Sequence, residues 1–69
     1  MSFATAYNEV FDDKNQVKPC GRLSCIKLIS ICKDIDPNTN FGDTSTGIMK
    51  IDNIVSLKNK IKENHNYAH

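Results

Sequence analysis

The amino-acid sequence predicts a small all-α domain built from three helices. Three segments place apolar residues at helical spacing, and clusters of Pro, Gly, Asp and Asn separate these segments. The composition, with 39% hydrophobic and 25% charged residues, is that of an ordinary globular protein. Because 69 residues are too few to form two hydrophobic cores, we expect residues 1–69 to form one small domain.

The first helix is predicted over residues 2–13. Its apolar residues recur at the i, i+3, i+4, i+7, i+8 spacing of one helix face, and Ser2 can cap the first turn. Asp12 and Asp13 disfavour a helix that ends at residue 13, because the helix dipole disfavours acidic residues near the C-terminal end of a helix. The apolar stripe consists of Phe3, Ala6, Tyr7, Val10 and Phe11.

The second helix is predicted over residues 21–35, after a turn marked by Pro19 and Gly21. Its apolar residues cover more than half of the helix circumference, so we expect it to be covered on more than one side. It is then either the central helix of the fold or half of a homodimer interface formed by residues 22–35. Lys27 and Ser30 interrupt any alternating pattern and disfavour a strand. The apolar residues are Cys25, Ile26, Leu28, Ile29, Ile31, Cys32 and Ile35.

A long polar loop is predicted between the second and third helices, over residues 36–47. This segment is rich in Asp, Asn, Thr and Gly, which bond their own backbone or adopt unusual dihedral angles. Loops of this length are often functional. Phe41 in its middle is either an anchor in the core or an exposed contact for a partner, and we select it as a candidate partner-binding residue.

The third helix is predicted over residues 52–64, with Asp52 as its N-cap. Its apolar face is followed by lysines in the last turns, which suit the helix dipole. Residues 48–51 could instead form a short extended segment, so a small α+β fold is the alternative. The apolar face consists of Ile51, Ile54, Val55, Leu57 and Ile61.

Charge and hydropathy exclude several classes of protein. The net charge is +1, which favours no polyanionic partner. No segment approaches the ~18 apolar residues of a membrane-spanning helix, and the first residues lack the pattern of a signal peptide. We therefore expect a cytoplasmic protein with no membrane partner.

The three cysteines, Cys20, Cys25 and Cys32, are predicted to be structural thiols rather than metal ligands. A disulfide framework requires an oxidising compartment and usually an even number of cysteines. Zinc would require a fourth ligand, and His65 and His69 lie far along the chain in a polar tail. We therefore expect no metal site.

Two further kinds of site are disfavoured by the sequence. The acidic series that begins at Asp34 resembles a calcium loop, but Thr39 replaces the required glycine and Ser45 replaces the bidentate glutamate. The sequence contains no glycine-rich phosphate loop and no paired carboxylates for acid–base catalysis. We predict that the protein is not an enzyme and uses no cofactor.

The remaining function classes are protein binding and nucleic-acid binding. A helix-turn-helix needs a turn of about 3–4 residues, which is much shorter than the loop at residues 36–47, and the basic residues are spread around both helices. Lys58 and Lys62 border the apolar stripe of the third helix and are the best candidates for an ionic contact with a partner. A small DNA-binding transcriptional regulator is therefore the alternative function.

By elimination, the leading prediction is a small non-enzymatic protein that binds another protein. A phage-type or bacterial regulator that inhibits a larger enzyme fits the length and the absence of catalytic motifs. The abundance of Lys, Ile and Asn, which have AT-rich codons, agrees with such a source. The candidate partner-binding residues are Phe41, Lys58 and Lys62.

Overall fold

The computed structural model describes residues 2–68, with side chains described over residues 2–62. It contains three helices, α1 (Phe3–Val10), α2 (Arg22–Ile35) and α3 (Ile51–Ala68). In the described part of the chain there is no β-sheet, and strand-like pairing is limited to two isolated antiparallel pairs. The predicted all-α class is confirmed, and the α+β alternative is wrong.

Helix α1 is capped by Ser2, whose hydroxyl accepts a hydrogen bond from the Thr5 amide at 3.2 Å. The helix ends at Val10, so its predicted extension to residue 13 is wrong. Phe11 is extended, and the Asp12 carboxylate accepts hydrogen bonds from the amides of Lys14 and Gln16 at 2.8 and 2.9 Å. These side-chain hydrogen bonds replace the backbone hydrogen bonds that would form if the helix continued through Asp12.

The first connector, residues 11–21, folds back against α1. Phe11 pairs with Val17 in antiparallel fashion, and the Lys18 amide donates to the Val10 carbonyl at 2.8 Å. Asn15 adopts a left-handed conformation with φ of 61°, which asparagine tolerates better than most residues. The result is a tight turn whose tip is Asn15.

Helix α2 is the central helix, as predicted, but only part of its apolar surface is covered. Leu28, Ile29 and Cys32 are fully buried. Leu23 is 71% exposed and Ile35 is 46% exposed. The chain therefore covers the core side of α2 by itself, and pairing of two copies through residues 22–35 stays a prediction.

The second connector, residues 36–50, is ordered by short-range hydrogen bonds and by one aromatic anchor. Phe41 is 1% exposed and belongs to the core. Next to it, Gly42 pairs with Met49 in antiparallel fashion, and the Lys50 amide donates to the Phe41 carbonyl at 2.9 Å. The loop predicted over residues 36–47 is present, and it forms a compact hairpin-like segment that Phe41 anchors in the core.

Helix α3 begins at Ile51, and the amides of Asn53 and Ile54 both donate to the Lys50 carbonyl at 3.1 Å. Asp52 lies in the first turn, where its charge suits the helix dipole, and is not the predicted N-cap. None of the helices over residues 2–68 combines the length and hydropathy needed to cross a membrane. The core consists of Ala6, Tyr7, Val10, Phe11, Leu28, Ile29, Cys32, Phe41, Ile54 and Leu57.

Candidate functional site

The best candidate for a binding site is a groove between α1 and α3, which we call the α1–α3 groove. It encloses about 320 Å³, and its walls are mostly apolar. Two of the three residues selected from the sequence, Lys58 and Lys62, line it. Among the residues whose side chains are described, the lining consists of Phe3, Ala4, Tyr7, Asn8, Lys58, Ile61 and Lys62.

The groove exists because α1 and α3 both pack on α2 but not directly on each other. Over the described residues, no Cα atom of α1 lies within 8 Å of a Cα atom of α3. Helices in direct contact have axes about 8–10 Å apart, so these two are too widely spaced to interdigitate. Side chains bridge the gap at its base and leave it open toward solvent.

The floor of the groove is formed by Phe3 and Tyr7 from α1 and by Ile61 from α3. Phe3 and Tyr7 stand four positions apart and therefore lie on one helix face, with ring centroids 5.7 Å apart. Phe3 and Ile61 are only partly buried and pack at the edge of the core. Such half-covered apolar side chains can bury further surface when another apolar group is placed on them.

A polar cluster closes the base of the groove. The Lys58 ammonium lies 4.6 Å from the centroid of the Tyr7 ring, a distance suited to a cation–π interaction. The same ammonium donates to Asn15 Oδ1 at 3.0 Å, and the Tyr7 hydroxyl donates to that oxygen at 2.7 Å. Burial raises the pKa of the Tyr7 phenol, which keeps it protonated as a donor.

This cluster holds the Lys58 ammonium in a defined position. One of its three N–H groups donates to Asn15, and the ammonium lies over the face of the Tyr7 ring. An ammonium group has three N–H donors, so Lys58 can also donate to an acceptor placed in the groove. A lysine fixed in this way loses less side-chain entropy on binding than a freely rotating one.

Lys62 lies one helical turn beyond Lys58 on the same face of α3, and its side chain is exposed. The other lining residues are uncharged. The two ammonium groups therefore place positive charge beside the apolar floor, Lys58 at the base of the groove and Lys62 at its rim. An apolar side chain flanked by carboxylates would match both features.

Phe41 lies elsewhere, in the core beneath the second connector. Of the two roles that the sequence left open, the structure shows the core anchor: with a 1% exposed ring, Phe41 offers no surface to a partner. Its position next to polar loop residues gave no sign of this, because burial of a lone aromatic depends on the path of the whole connector.

The uncharged residues of the site were not identified from the sequence, among them Phe3, Tyr7 and Asn15. Phe3 and Tyr7 belong to the apolar stripe of α1, which the periodicity assigned to the core without showing that one edge stays open. Asn15 lies in a connector with no motif. An asparagine within a short polar turn is a signal for left-handed backbone, but its long-range contact with Lys58 has no signal in the sequence.

The residues that suggested metal sites have other roles or lie outside the described part. Over the described residues, no three metal-ligating side chains come together. Asp36 accepts hydrogen bonds from the Asn38 amide at 3.3 Å and the Thr39 hydroxyl at 2.7 Å, so it holds a turn. His69 and the side chain of His65 lie outside the described residues.

Comparisons with protein-family models, with curated proteins and with solved structures find no match to this chain.

Proposed function

We propose that the protein is a non-enzymatic binding protein that recognises an acidic segment of another protein in the α1–α3 groove. The observation that carries this proposal is the combination of an apolar floor, formed by Phe3, Tyr7 and Ile61, with the lysine pair Lys58 and Lys62. In the proposed complex an apolar side chain of the partner fills the groove, and flanking carboxylates meet the two ammonium groups.

The charge of the partner follows from what lines the groove. Among the residues that line it, Lys58 and Lys62 carry the charge, while Ala4 and Asn8 on the opposite wall are neutral. A basic partner segment would bring like charges together without compensation, and a purely apolar one would leave the two ammonium groups partly desolvated. An acidic segment avoids both costs.

The apolar floor favours a protein segment over nucleic acid. Phosphate backbones are bound by several cations spread along the strand, and each phosphate contact adds to the salt dependence of binding. The groove offers two lysines, and its largest lining surface is aromatic and aliphatic. Single-stranded nucleic acid could stack on an aromatic face, but the face of Tyr7 is occupied by Lys58 on one side and stacks on Phe11 at 4.5 Å.

A binding groove without catalytic groups suits a regulator that acts by occupying a partner. We extend the proposal to this role: the protein, of phage-type or bacterial origin, regulates or inhibits a larger enzyme by holding one of its acidic surface segments. The support for this extension is the small size of the domain, 7.8 kDa, together with the groove described above.

Selection from a random peptide library displayed on phage tests the proposal even though the partner is unidentified. The purified protein is the bait, and enriched peptides are then synthesised and titrated by calorimetry. We expect enriched peptides to share an aromatic or large aliphatic residue flanked by Asp or Glu. Their binding should weaken as salt concentration rises, because exposed ion pairs are screened.

Two charge-reversal variants provide the matched comparison. Lys62→Glu replaces attraction with repulsion at the rim. For exposed charges the lost attraction and the added repulsion each amount to about 0.5–1 kcal/mol, about 1–2 kcal/mol together, so we expect binding to weaken about fivefold to thirtyfold. Lys60→Glu makes the same change on the opposite face of α3, where Lys60 lies near Asp36 and Phe41, and should leave peptide affinity within about twofold.

Three outcomes would contradict the proposal. The first is a set of enriched peptides that lack acidic residues, and the second is equal binding of the peptides to Lys60→Glu and Lys62→Glu. The third is salt-dependent binding of a short DNA duplex that is lost in Lys62→Glu, which would replace the proposal with the DNA-binding alternative.

A further inference from the structure

Cys20 and Cys25 occupy two positions that face each other at the start of α2. Gly21 is the N-cap residue of this helix and Arg22 is its first helical residue. Cys20 therefore immediately precedes the cap, and Cys25 is the fourth helical residue. Side chains at these two positions commonly pack together across the first turn, in the arrangement known as the hydrophobic staple.

The thiols differ in accessibility in the way that an exchange reaction requires. Cys20 is exposed, Cys25 is half-buried and Cys32 is fully buried in the core. Burial raises the pKa of the Cys25 thiol, and the neighbouring Cys20 thiol raises it further, in keeping with the facing positions of these two residues at a helix start. Burial raises the pKa of Cys32 to about 11, so Cys32 forms little of the reactive thiolate.

The backbone between the paired cysteines can adjust. A disulfide requires Cα atoms about 4.4–6.8 Å apart, so closure of the pair depends on the freedom of the backbone before the helix to adjust. Apart from Gly21 itself and its two chain neighbours, no heavy atom of the described residues lies within 4 Å of the position that a Gly21 Cβ would occupy. The chain at Gly21 therefore has room to shift, and Cys20 lies outside the helix, where no helical hydrogen bond resists the movement.

We infer that Cys20 and Cys25 form a modification site that is converted to an intramolecular disulfide by a low-molecular-weight disulfide such as oxidised glutathione. The Cys20 thiolate, after loss of its proton to water, attacks one sulfur of the reagent. The S–S bond of the reagent breaks, one glutathione leaves as thiolate, and Cys20 carries the other as a mixed disulfide.

The second step closes the pair. The Cys25 thiolate attacks the Cys20 sulfur, the mixed disulfide breaks, and the second glutathione leaves as thiolate. Two protein thiols are oxidised by two electrons in total, and one glutathione disulfide is reduced to two glutathione molecules, which take up the two protons. Cys32 takes no part because its sulfur is buried.

The experiment uses the full chain incubated with an excess of oxidised glutathione, quenched with acid and alkylated at free thiols. Intact mass is then measured, and the non-reduced protein is digested with trypsin. Cleavage after Lys14, Arg22, Lys27 and Lys33 places the three cysteines on separate peptides, since the Lys18–Pro19 bond resists trypsin. These peptides span residues 15–22, 23–27 and 28–33.

We expect a mass lower by two hydrogen atoms than that of the reduced protein, and a cross-linked peptide pair that joins residues 15–22 to residues 23–27. The peptide of residues 28–33 should carry one alkylated cysteine. In Cys25→Ser, the reaction should stop at a glutathione adduct on Cys20. In Cys20→Ser, adduct formation should fall at least about tenfold, because the exposed attacking thiol is absent.

Three results would overturn the inference. One is a stable glutathione adduct on Cys20 of the unmodified sequence, which would show that Cys25 cannot reach it. The second is a covalent dimer linked through Cys20, and the third is a cross-link that includes Cys32. Far-UV circular dichroism of each variant confirms that the helices are intact, so loss of reaction reflects the missing thiol.

Discussion

The two connectors of this small domain both anchor an aromatic ring in the core, but different interactions hold each connector in place. Each buries one aromatic ring beside an isolated antiparallel pair, Phe11 in residues 11–21 and Phe41 in residues 36–50. The first connector is fixed by side chains, because Asn15 at its tip receives hydrogen bonds from Tyr7 and Lys58. The second is fixed mainly by its own backbone and short polar side chains.

Gly42 in the second connector illustrates how the two connectors differ. Gly42 has φ of 132°, and a Cβ there would lie 2.3 Å from the Ile48 carbonyl oxygen and 2.9 Å from the Met49 Cα. The chain therefore approaches itself more closely than any other residue would permit. The first connector instead uses Asn15 at φ of 61°. The first connector thus tolerates side-chain changes poorly at Asn15. The second connector tolerates no side chain at Gly42, where its two backbone segments come closest together.

The largest expected effect comes from removing the aromatic anchors. Phe41→Ala should lower the free energy of unfolding by about 3–5 kcal/mol. A domain of 69 residues has a total stability of only about 3–10 kcal/mol, so the variant should be largely unfolded. Phe11→Ala should cost about the same, with its stacking on Tyr7 also lost. Urea unfolding followed by circular dichroism measures both.

The milder variants Phe41→Leu and Phe11→Leu, which keep a large apolar side chain, serve as controls and should retain the fold. If Phe41→Ala lost less than about 1 kcal/mol, the second connector would not be part of the core, and the comparison between the two connectors would fail.

Gly42→Ala should have the next largest effect. The added Cβ would meet backbone atoms at 2.3 and 2.9 Å, and these can move only by breaking the hydrogen bond from the Asp43 amide to the Ile48 carbonyl, now 2.8 Å. We expect a loss of about 2 kcal/mol or more, measured by thermal or urea unfolding.

Gly21→Ala is the matched control for this prediction, because a Cβ at Gly21 would have no described residue other than its chain neighbours within 4 Å. It should change stability by less than about 1 kcal/mol, since the weaker N-cap is offset by lower entropy of the unfolded chain. Equal effects at Gly42 and Gly21 would contradict the close approach in the second connector.

The third prediction separates backbone from side chain at Asn15. Asn15→Gly keeps a residue suited to φ of 61° but loses the hydrogen bonds from Tyr7 and Lys58. Asn15→Ala loses these hydrogen bonds and also the residue type suited to this backbone conformation. We expect Asn15→Ala to be about 1 kcal/mol less stable than Asn15→Gly. Tyr7→Phe removes one hydrogen bond and should cost about 0.5–1.5 kcal/mol.

If Asn15→Gly were as stable as the unmodified protein, the side-chain cluster would contribute nothing to the first connector. Because this cluster also positions Lys58 at the base of the α1–α3 groove, the same variants show whether the connector supports the groove. Chemical shifts of Phe3 and Ile61 in heteronuclear NMR spectra report on that change directly.

The smallest expected effect is a pH dependence at Asp43 in the second connector. The hydroxyl and amide of Ser45 donate to Asp43 Oδ1 at 2.7 and 2.9 Å, and hydrogen bonding from Ser45 lowers the pKa of this carboxyl below its ordinary value of 3.8. A lowered folded-state pKa stabilises the fold above the ordinary value, and this contribution disappears as the pH falls through the folded-state value.

NMR titration of the Asp43 carboxyl carbon measures this pKa directly. Ser45→Ala should move the pKa of Asp43 upward toward 3.8, because the hydroxyl that stabilises the charged form is removed. Ser30→Ala, an exposed change on α2, should leave it in place. An unchanged Asp43 pKa in Ser45→Ala would show that the turn is held by the amide alone.

The number and order of the helices could be predicted from the sequence, because each depends on local spacing of apolar residues. The stripe of α1 and the broad apolar face of α2 are patterns within a few turns, and the Ser2 cap is a contact within one turn. The end of α1 could not be placed, since it depends on whether Asp12 bonds forward to Gln16 or continues the helix.

Only part of the candidate site could be predicted from the sequence. Lys58 and Lys62 could be selected because two lysines one turn apart border an apolar stripe, which is again a local pattern. Their partners Tyr7 and Asn15 are distant in the chain, and the contact between Asn15 and Lys58 spans 43 positions. No periodicity carries that information.

The sequence by itself therefore determined the all-α class, the central place of α2 and the lysine pair of α3. Only the tertiary structure decided that Phe41 is buried and that α1 and α3 leave a groove between them. The physical reason is the range of the interactions. Helix formation is governed by neighbours within about four positions, whereas burial and groove formation depend on how whole elements are packed together.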